Sequence, residues 1–134
     1  MTKSVLDSFA VLAFLFKETG HEKVLSLLES ASKDDEVVHI SAPNWAEVLY
    51  IIERRKGVDE WNRARVSLLA LPIEVRPADQ TLAELAGRIK ASKKMSLADC
   101  FAAALAKQLK AELYTGDPEF HEVEKDVKII WLSD

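Results

Sequence analysis

The alternation of short apolar segments with longer amphipathic ones constrains this chain more than any other feature of its sequence. Five short segments rich in apolar and β-branched residues are predicted to be strands, at residues 4–6, 37–40, 73–75, 112–115 and 127–131. These segments are not divided into alternating polar and apolar positions, which is typical of strands buried on both faces. The sequence therefore predicts an α/β fold with three α/β/α layers and a five-stranded parallel sheet.

Six helices are predicted around these strands from apolar residues that recur three and four positions apart. They span residues 9–16, 21–32, 44–55, 59–71, 79–91 and 96–110. Gly20 is expected to end the first helix, Gly57 to end the third, and Asp59 to cap the fourth. In the second helix, the residues expected to face inward are Val24, Leu25, Leu27 and Leu28.

The length and composition of the chain, 134 residues, suit one folded domain, predicted over residues 1–134. The one cysteine, Cys100, cannot form an internal disulfide and lies in an apolar run, so a buried thiol and a cytoplasmic location are expected. No signal peptide is expected, and the apolar runs are too short to span a membrane. The net charge of −4 neither favours nor excludes binding of nucleic acid.

Four acidic residues, Asp7, Glu47, Asp99 and Asp117, form the candidate site. Asp7 directly follows the first predicted strand, and Asp117 lies two residues beyond the fourth. Ligands of open parallel sheets bind beyond the carboxyl ends of the strands, so these two carboxylates converge if their strands are neighbours. Glu47 lies early in the helix after the second strand, and Asp99 lies near the start of the sixth helix.

Each of the four acids also has a purely structural explanation. Asp7 suits an N-cap, Asp99 follows Ser96 at the spacing of a capping box, Asp117 suits a turn, and Glu47 suits a solvated helix. The surroundings of Asp99 and Glu47 favour a functional explanation, because both are flanked by apolar residues. A carboxylate in apolar surroundings loses hydration and needs a compensating cation, so the sequence predicts a bound metal ion.

The residue types predict which metal this would be. Several converging carboxylates are hard oxygen ligands, which select Mg²⁺ or Mn²⁺ rather than zinc. His21, His39 and His121 are isolated from one another and from Cys100, so no zinc pattern is present in the sequence. His39 is interpreted as a strand residue and the other two histidines as surface residues.

Four segments together resemble the PilT N-terminus (PIN) domain family, and most closely its VapC-type toxin ribonucleases. Residues 4–8, Ser-Val-Leu-Asp-Ser, resemble the opening strand with its Asp, and residues 40–49 resemble the segment that carries a Glu. Residues 96–106 resemble the Asp that precedes an alanine-rich helix. Residues 113–120, Leu-Tyr-Thr-Gly-Asp-Pro-Glu-Phe, resemble the Thr-x-Asp-x-x-Phe ending. All four segments occur in order between residues 4 and 120.

The resemblance implies cleavage of RNA with Mg²⁺ or Mn²⁺ by an acidic quartet that matches Asp7, Glu47, Asp99 and Asp117. It also implies that Ser8 and Thr115 orient the carboxylates or a metal-bound water, with ordinary capping and strand-end hydrogen bonds as the alternative. Glu119 matches a position where some members have another acid. The implied partners are an RNA substrate, a second copy of the chain in a homodimer, and a cognate antitoxin that covers an apolar groove near the site.

Two clusters of basic residues stand near the acids in the sequence. Arg88, Lys90, Lys93 and Lys94 precede the helix of Asp99, whereas Arg54, Arg55 and Lys56 follow the helix of Glu47. Contact with RNA phosphates is predicted for Arg54, Arg88, Lys93 and Lys94. The alternative is a solvated helix end where the dipole favours cations, and it is the stronger explanation for residues 54–56.

Two other functions remain open at this stage. A PIN-like module could bind a partner or RNA without cutting, although the intact quartet argues against it. A receiver-type phosphoacceptor domain is also a parallel α/β fold with acids at strand ends. It requires an acidic pair after the first strand and a lysine after the fifth, and the sequence offers Asp7 alone and no lysine after Ile129.

Overall fold

The computed structural model of the chain describes residues 2–133. Its strands are β1 Ser4–Leu6, β2 Val38–Ser41, β3 Ile73–Arg76, β4 Glu112–Thr115 and β5 Ile129–Trp131. Its α-helices are α1 Ser8–Leu15, α2 His21–Lys33, α3 Ala42–Lys56, α4 Val58–Leu69, α5 Gln80–Ser92 and α6 Leu97–Leu109. A 3-10 helix, Pro118–Val123, connects β4 to β5. This confirms the predicted α/β fold.

The five strands form one parallel sheet in the order β3-β2-β1-β4-β5. From the central strand β1, the strands β2 and β3 follow in order toward one edge of the sheet. The next strand, β4, pairs with the opposite side of β1. The strand order thus reverses between β1 and β4, where Leu6 is opposite Tyr114. A crevice opens beyond the carboxyl ends of the strands at such a reversal, and it is the usual ligand site of this architecture.

Helices cover both faces of the sheet, as the apolar strands require. Val5 packs into a cluster with α5, α6 and the 3-10 helix, whereas the next residue, Leu6, packs into a second cluster with α1 to α4. Successive side chains of a strand point to opposite faces, so one short strand contributes to both cores. Within residues 2–133, no helix is long and apolar enough to cross a membrane.

Helix ends follow local sequence signals. The side chain of Ser41 accepts a hydrogen bond from the amide of Asn44 at the start of α3, and Asp79 caps α5 in the same way. Gly57 has φ 96° and, as predicted, ends α3. The structure also confirms that Cys100 is buried and that His39 lies in a strand.

Several local predictions were wrong. Gly20 does not end α1, because that helix stops at Leu15. Gly20 instead directly precedes α2. Its Cα lies so close to Leu132 that a Cβ at this position would be 2.5 Å from the Leu132 side chain. Asp59 does not cap α4, because the helix starts one residue earlier, directly after Gly57. Leu25 is 42% exposed and does not face inward as predicted, because the buried face of α2 is narrower and runs through Val24 and Leu28.

Candidate active site

Asp7 lies directly after β1, where the strand turns into α1. Its carboxylate oxygen Oδ1 accepts a hydrogen bond from the amide of Ala10, 2.8 Å away, so Asp7 is the N-cap of α1. Its other oxygen, Oδ2, accepts a hydrogen bond of 2.5 Å from the hydroxyl of Thr115 on β4. Both oxygens of the buried carboxylate are therefore held in place, one by its own helix and one by the neighbouring strand. The structural and the functional explanations of Asp7 are compatible.

Glu47 reaches the same edge of the sheet from α3. The hydroxyl of Ser8 donates a hydrogen bond to Oε1 of Glu47, and the hydroxyl of Tyr50 donates to Oε2 at 3.3 Å. Since Ser8 is the residue after Asp7, this contact ties Glu47 to the start of α1. The tyrosine ring in turn lies under the guanidinium of Arg54, 4.9 Å from the ring centroid.

Asp99 lies in the first turn of α6 and is buried. Its amide donates a hydrogen bond to the hydroxyl of Ser96, the N-cap of the helix, at 3.2 Å. In a capping box the acid three residues on would accept from the amide of Ser96. That amide instead donates to Oε1 of Glu119 at 3.0 Å, so Asp99 is not the reciprocal partner in a capping box.

Asp117 and Glu119 come from the segment that follows β4. The amide of Asp117 donates to the hydroxyl of Thr115 at 3.0 Å, and the amide of Glu119 donates to Oδ1 of Asp117 at 2.9 Å. Oxygen atoms of Asp99, Asp117 and Glu119 lie within 4.8 Å of one another. Asp99 is buried in this group, Asp117 is half-buried and Glu119 is exposed, which opens the group to solvent on one side.

Burial, with repulsion between the acids as a smaller cause, shifts the protonation of Asp7 and Asp99. Burial, joined by the charges of Asp117 and Glu47, raises the pKa of Asp7 from 3.8 to about 7, although the hydrogen bonds from Thr115 and Ala10 oppose this. Burial and the charges of Asp117 and Asp7 raise the pKa of Asp99 from 3.8 to about 8. At neutral pH without a cation, Asp99 is therefore mostly protonated and Asp7 partly protonated.

The arrangement fits a divalent cation with a preference for oxygen. Every candidate ligand is a carboxylate, and three of them already lie at the mutual distances of a shared ligand sphere. In the part of the chain that the structure describes, no basic side chain forms an ion pair with any of these acids. A cation would therefore supply the charge that the protein does not provide, and Asp99, Asp117 and Glu119 are the residues best placed to hold it, with Asp7 beside them.

The predicted basic residues are distributed over different surfaces. Arg88 and Lys93 line one concave surface of about 260 Å³ together with Lys107 from the far end of α6. Lys94 lies beside this region, and its amide donates to Glu122 at 3.2 Å. Arg54 does not line that surface, because it stacks on Tyr50 of α3.

Two residues that hold the site together were missed at the level of sequence. Asn44 is fully buried, accepts a hydrogen bond from the hydroxyl of Ser41, and donates through Nδ2 to the carbonyl of Ala98 at 3.2 Å. It therefore links the start of the helix of Glu47 to the residue before Asp99. Tyr50 was missed as the hydrogen-bond partner of Glu47. The available signal was local: Asn44 follows a helix cap by three residues, and Tyr50 is one helical turn beyond Glu47.

A comparison with family models matches residues 4–126 to the PIN domain. The match covers nearly the whole chain and includes every acid described above. The chain belongs to the PIN domain family. The match to the PIN domain confirms the resemblance found in the four sequence segments. A comparison with curated protein sequences gives no significant match.

Solved structures similar to this PIN domain include components of toxin–antitoxin complexes. A DNA-bound VapBC from Salmonella typhimurium has a TM-score of 0.75 at 19% identity, over 98% of this chain and 99% of that one. FitAcB from Neisseria gonorrhoeae has a TM-score of 0.71 at 23% identity, over 96% and 97%. VapC20 from Mycobacterium tuberculosis, a toxin that cleaves the sarcin-ricin loop, has a TM-score of 0.66 at 18% identity, over 89% and 93%.

These similarities define the fold of this PIN domain. The family match rules out the receiver-type phosphoacceptor domain, which the missing acidic pair and lysine had already disfavoured.

Proposed function

We propose that the protein is a metal-dependent ribonuclease that acts as the toxin of a VapBC-type toxin–antitoxin pair. The observation that carries this proposal is the convergence of Asp7, Asp99, Asp117 and Glu119 at the strand-order reversal, with Glu47 tied to them through Ser8. Two of these acids have their pKa raised to about 7 and about 8, as expected of a site built for a cation. We propose Mg²⁺ or Mn²⁺ as that cation, because all the ligands are oxygen atoms.

The chemistry is hydrolysis of an RNA phosphodiester. A divalent ion held here would lower the pKa of a water molecule and offset negative charge that develops on the phosphate. A water oxygen attacks phosphorus in line as the bond to the 3′ oxygen breaks, which leaves a 5′-phosphate and a 3′-hydroxyl. Thr115 and the amide of Ala10 fix both oxygens of Asp7, and Ser8 fixes Glu47, so the carboxylates need little reorganisation.

Substrate binding is proposed for the concave surface of Arg88, Lys93 and Lys107. Three cations line it, with Asp126 as an acidic neighbour, in a chain of net charge −4. Lys107 is eight residues beyond Asp99, which along an α-helix is a rise of about 12 Å. Phosphate contact is proposed for Lys94 as well, since it adjoins this surface. It is less well supported for Arg54, whose guanidinium is engaged with Tyr50.

An antitoxin and a second copy of the chain are the proposed protein partners. Large apolar side chains are exposed beside the acids: Phe9 next to Ser8, Tyr50 at Glu47, and Leu97 two residues before Asp99. An apolar peptide segment of an antitoxin would cover this rim, and a toxin–antitoxin complex is among the solved structures similar to this chain. A separate set of exposed apolar residues on and around α4, Val58, Val66 and Leu69, supports a homodimer.

The test is cleavage of structured RNAs with and without added Mg²⁺ or Mn²⁺. We expect metal-dependent cleavage by the unaltered protein, and a loss of roughly a hundredfold or more for Asp99→Asn, because this change keeps the shape of the side chain and removes its charge. A folded Asp99→Asn protein that cleaves undiminished would overturn the proposal.

The main competing function is a PIN module that binds RNA or a partner without cutting. The same assay separates the two, because such a module would show no metal-dependent cleavage although it still binds RNA. Asp59→Asn is the matched control, since Asp59 is an exposed acid on α4 away from the site. It should cleave like the unaltered protein.

A further inference from the structure

A concave surface next to Asp117 is lined by side chains that the acidic site does not use. Its volume is about 650 Å³, and it is bordered by Gly116 and Pro118, the two chain neighbours of Asp117. The other side chains that matter here are Lys23 from α2, His121 from the 3-10 helix, and Ile130 and Trp131 from β5. The surface is therefore assembled from three separate elements around one edge of the acidic crevice.

Two aromatic rings form a stacked platform in this surface. The ring centroids of His121 and Trp131 lie 4.4 Å apart, with an angle of 30° between the ring planes. The carboxylate of Glu124 contacts both polar edges: Oε1 lies 2.5 Å from Nδ1 of His121, and Oε2 accepts from Nε1 of Trp131 at 3.3 Å. The side chain of His121 remains 63% exposed although the indole covers one of its faces. Glu124 thus holds one polar edge of each ring, and a flat face of the stacked pair is left open.

A cation accompanies this platform. Nζ of Lys23 donates a hydrogen bond to the carbonyl of Trp131 at 2.7 Å, which holds the ammonium group at the surface. An ammonium has three donors, so Lys23 can contact an anion as well. Within residues 2–133, no carboxylate forms an ion pair with it. An open aromatic face next to an ammonium without an acidic partner suits a base and the phosphate attached to it.

We propose that this surface binds an unpaired nucleobase of the RNA substrate, stacked on the open face of the His121–Trp131 pair, with the adjoining phosphate at Lys23. The proposal rests on the proposed ribonuclease function and specifies which part of the RNA the site selects. A base can stack on a protein ring only when it is splayed out of its own helix, so the surface favours single-stranded RNA. Gly116 and Pro118, which border the surface, are the chain neighbours of Asp117, and consecutive Cα atoms lie about 3.8 Å apart. The surface therefore adjoins the segment that carries Asp117, and a base bound there would lie on the Asp117 side of the acidic group.

The test is a binding experiment in the presence of a chelator, in which no cleavage occurs. The probe is a short fluorescent oligoadenylate, compared by anisotropy with an RNA duplex of the same length. We expect Trp131→Leu to weaken binding of oligoadenylate by roughly tenfold or more, whereas Trp131→Phe, which keeps an aromatic face, stays close to the unaltered protein. Lys23→Ala should weaken binding and reduce its salt dependence, and Lys33→Ala in the same helix should do neither.

The outcomes separate this proposal from the ribonuclease function. Equal affinity of folded Trp131→Leu and the unaltered protein for oligoadenylate would overturn it, as would equally tight binding of duplex and single strand. If Trp131→Leu does not fold, His121→Ala takes its place with the same expectation. Failure of the unaltered protein to cleave RNA with Mg²⁺ or Mn²⁺ would count against the catalytic function. The binding experiment contains no metal ion, so its result tests the base-binding surface independently of cleavage.

Discussion

Removal of one buried charge should make the metal-free protein more stable and at the same time inactive. Asp7→Asn keeps the shape of the side chain. The amide oxygen can still accept from the amide of Ala10, and the new amino group can donate to the hydroxyl of Thr115 where Asp7 Oδ2 accepted before. What changes is the charge, which burial and the neighbouring Asp117 and Glu47 disfavour.

The size of the effect follows from the pKa of Asp7. Folding raises it from 3.8 to about 7, and each pKa unit corresponds to about 1.4 kcal/mol. Between these two values the unfolded chain binds fewer protons than the folded one, so the free energy of unfolding falls as pH rises. The destabilisation by Asp7 is about 1.5 kcal/mol near pH 5 and approaches about 4 kcal/mol near pH 8. Asp7→Asn should therefore gain about 3 kcal/mol relative to the unaltered protein between about pH 5 and about pH 8.

The measurement is urea unfolding of both proteins in a chelator at these two pH values. The difference between pH values removes any small, pH-independent change in hydrogen bonding that the substitution causes. Asp59→Asn, at an exposed position, is the matched control and should show no such gain. Added Mn²⁺ should stabilise the unaltered protein in proportion to its binding and stabilise Asp7→Asn much less.

The reasoning fails if Asp7→Asn gains no stability from about pH 5 to about pH 8 relative to the unaltered protein. Such a result would mean that Asp7 is ionised in the folded protein without a metal ion. The crevice would then have to be hydrated or open enough to solvate the charge of Asp7. The burial and the repulsion by Asp117 and Glu47, which favour a bound cation, would be small.

Four other predictions address the supporting residues. Asn44→Ala should lower the free energy of unfolding by about 2 kcal/mol because it removes two side-chain hydrogen bonds, to the hydroxyl of Ser41 and the carbonyl of Ala98. Urea unfolding measures this, with exposed Asn62→Ala as the control, and equal stability of the two variants would contradict it. Glu119→Gln should weaken Mn²⁺ binding in calorimetry, and unchanged affinity would exclude Glu119 as a ligand. Lys93→Ala should reduce the salt slope of binding to single-stranded RNA by about 0.7, so an unchanged slope rules out phosphate contact. Val66→Asp on α4 should yield a monomer in light scattering if α4 forms the homodimer interface, whereas a persistent dimer places that interface elsewhere.

The sequence alone was sufficient for the class of fold and for most of the elements. Apolar strand segments and helical spacing are local properties, so β1, α3, α6 and β4 could be predicted close to their observed ends. The wrong predictions concern residues whose positions depend on contacts between distant parts of the chain. Gly20 adjoins Leu132 from the other end of the chain, and Leu25 faces solvent because the surface that α2 covers is narrow. Neither contact is visible in the neighbouring sequence.

The four acids of the candidate site could be proposed from the sequence, because strand ends and apolar neighbours are visible there. Whether they meet was decided only by the strand order, since β4 pairs with β1 through a crossover that no local signal specifies. The tertiary structure also placed Glu119, which the family resemblance had suggested, beside Asp99 and Asp117, and it revealed the supporting contacts of Asn44. It raised the pKa of Asp7 and Asp99 by burial, which depends on every element packed around them. Residue types determined which chemistry is available to this protein, and the packing of distant segments determined where the charges meet.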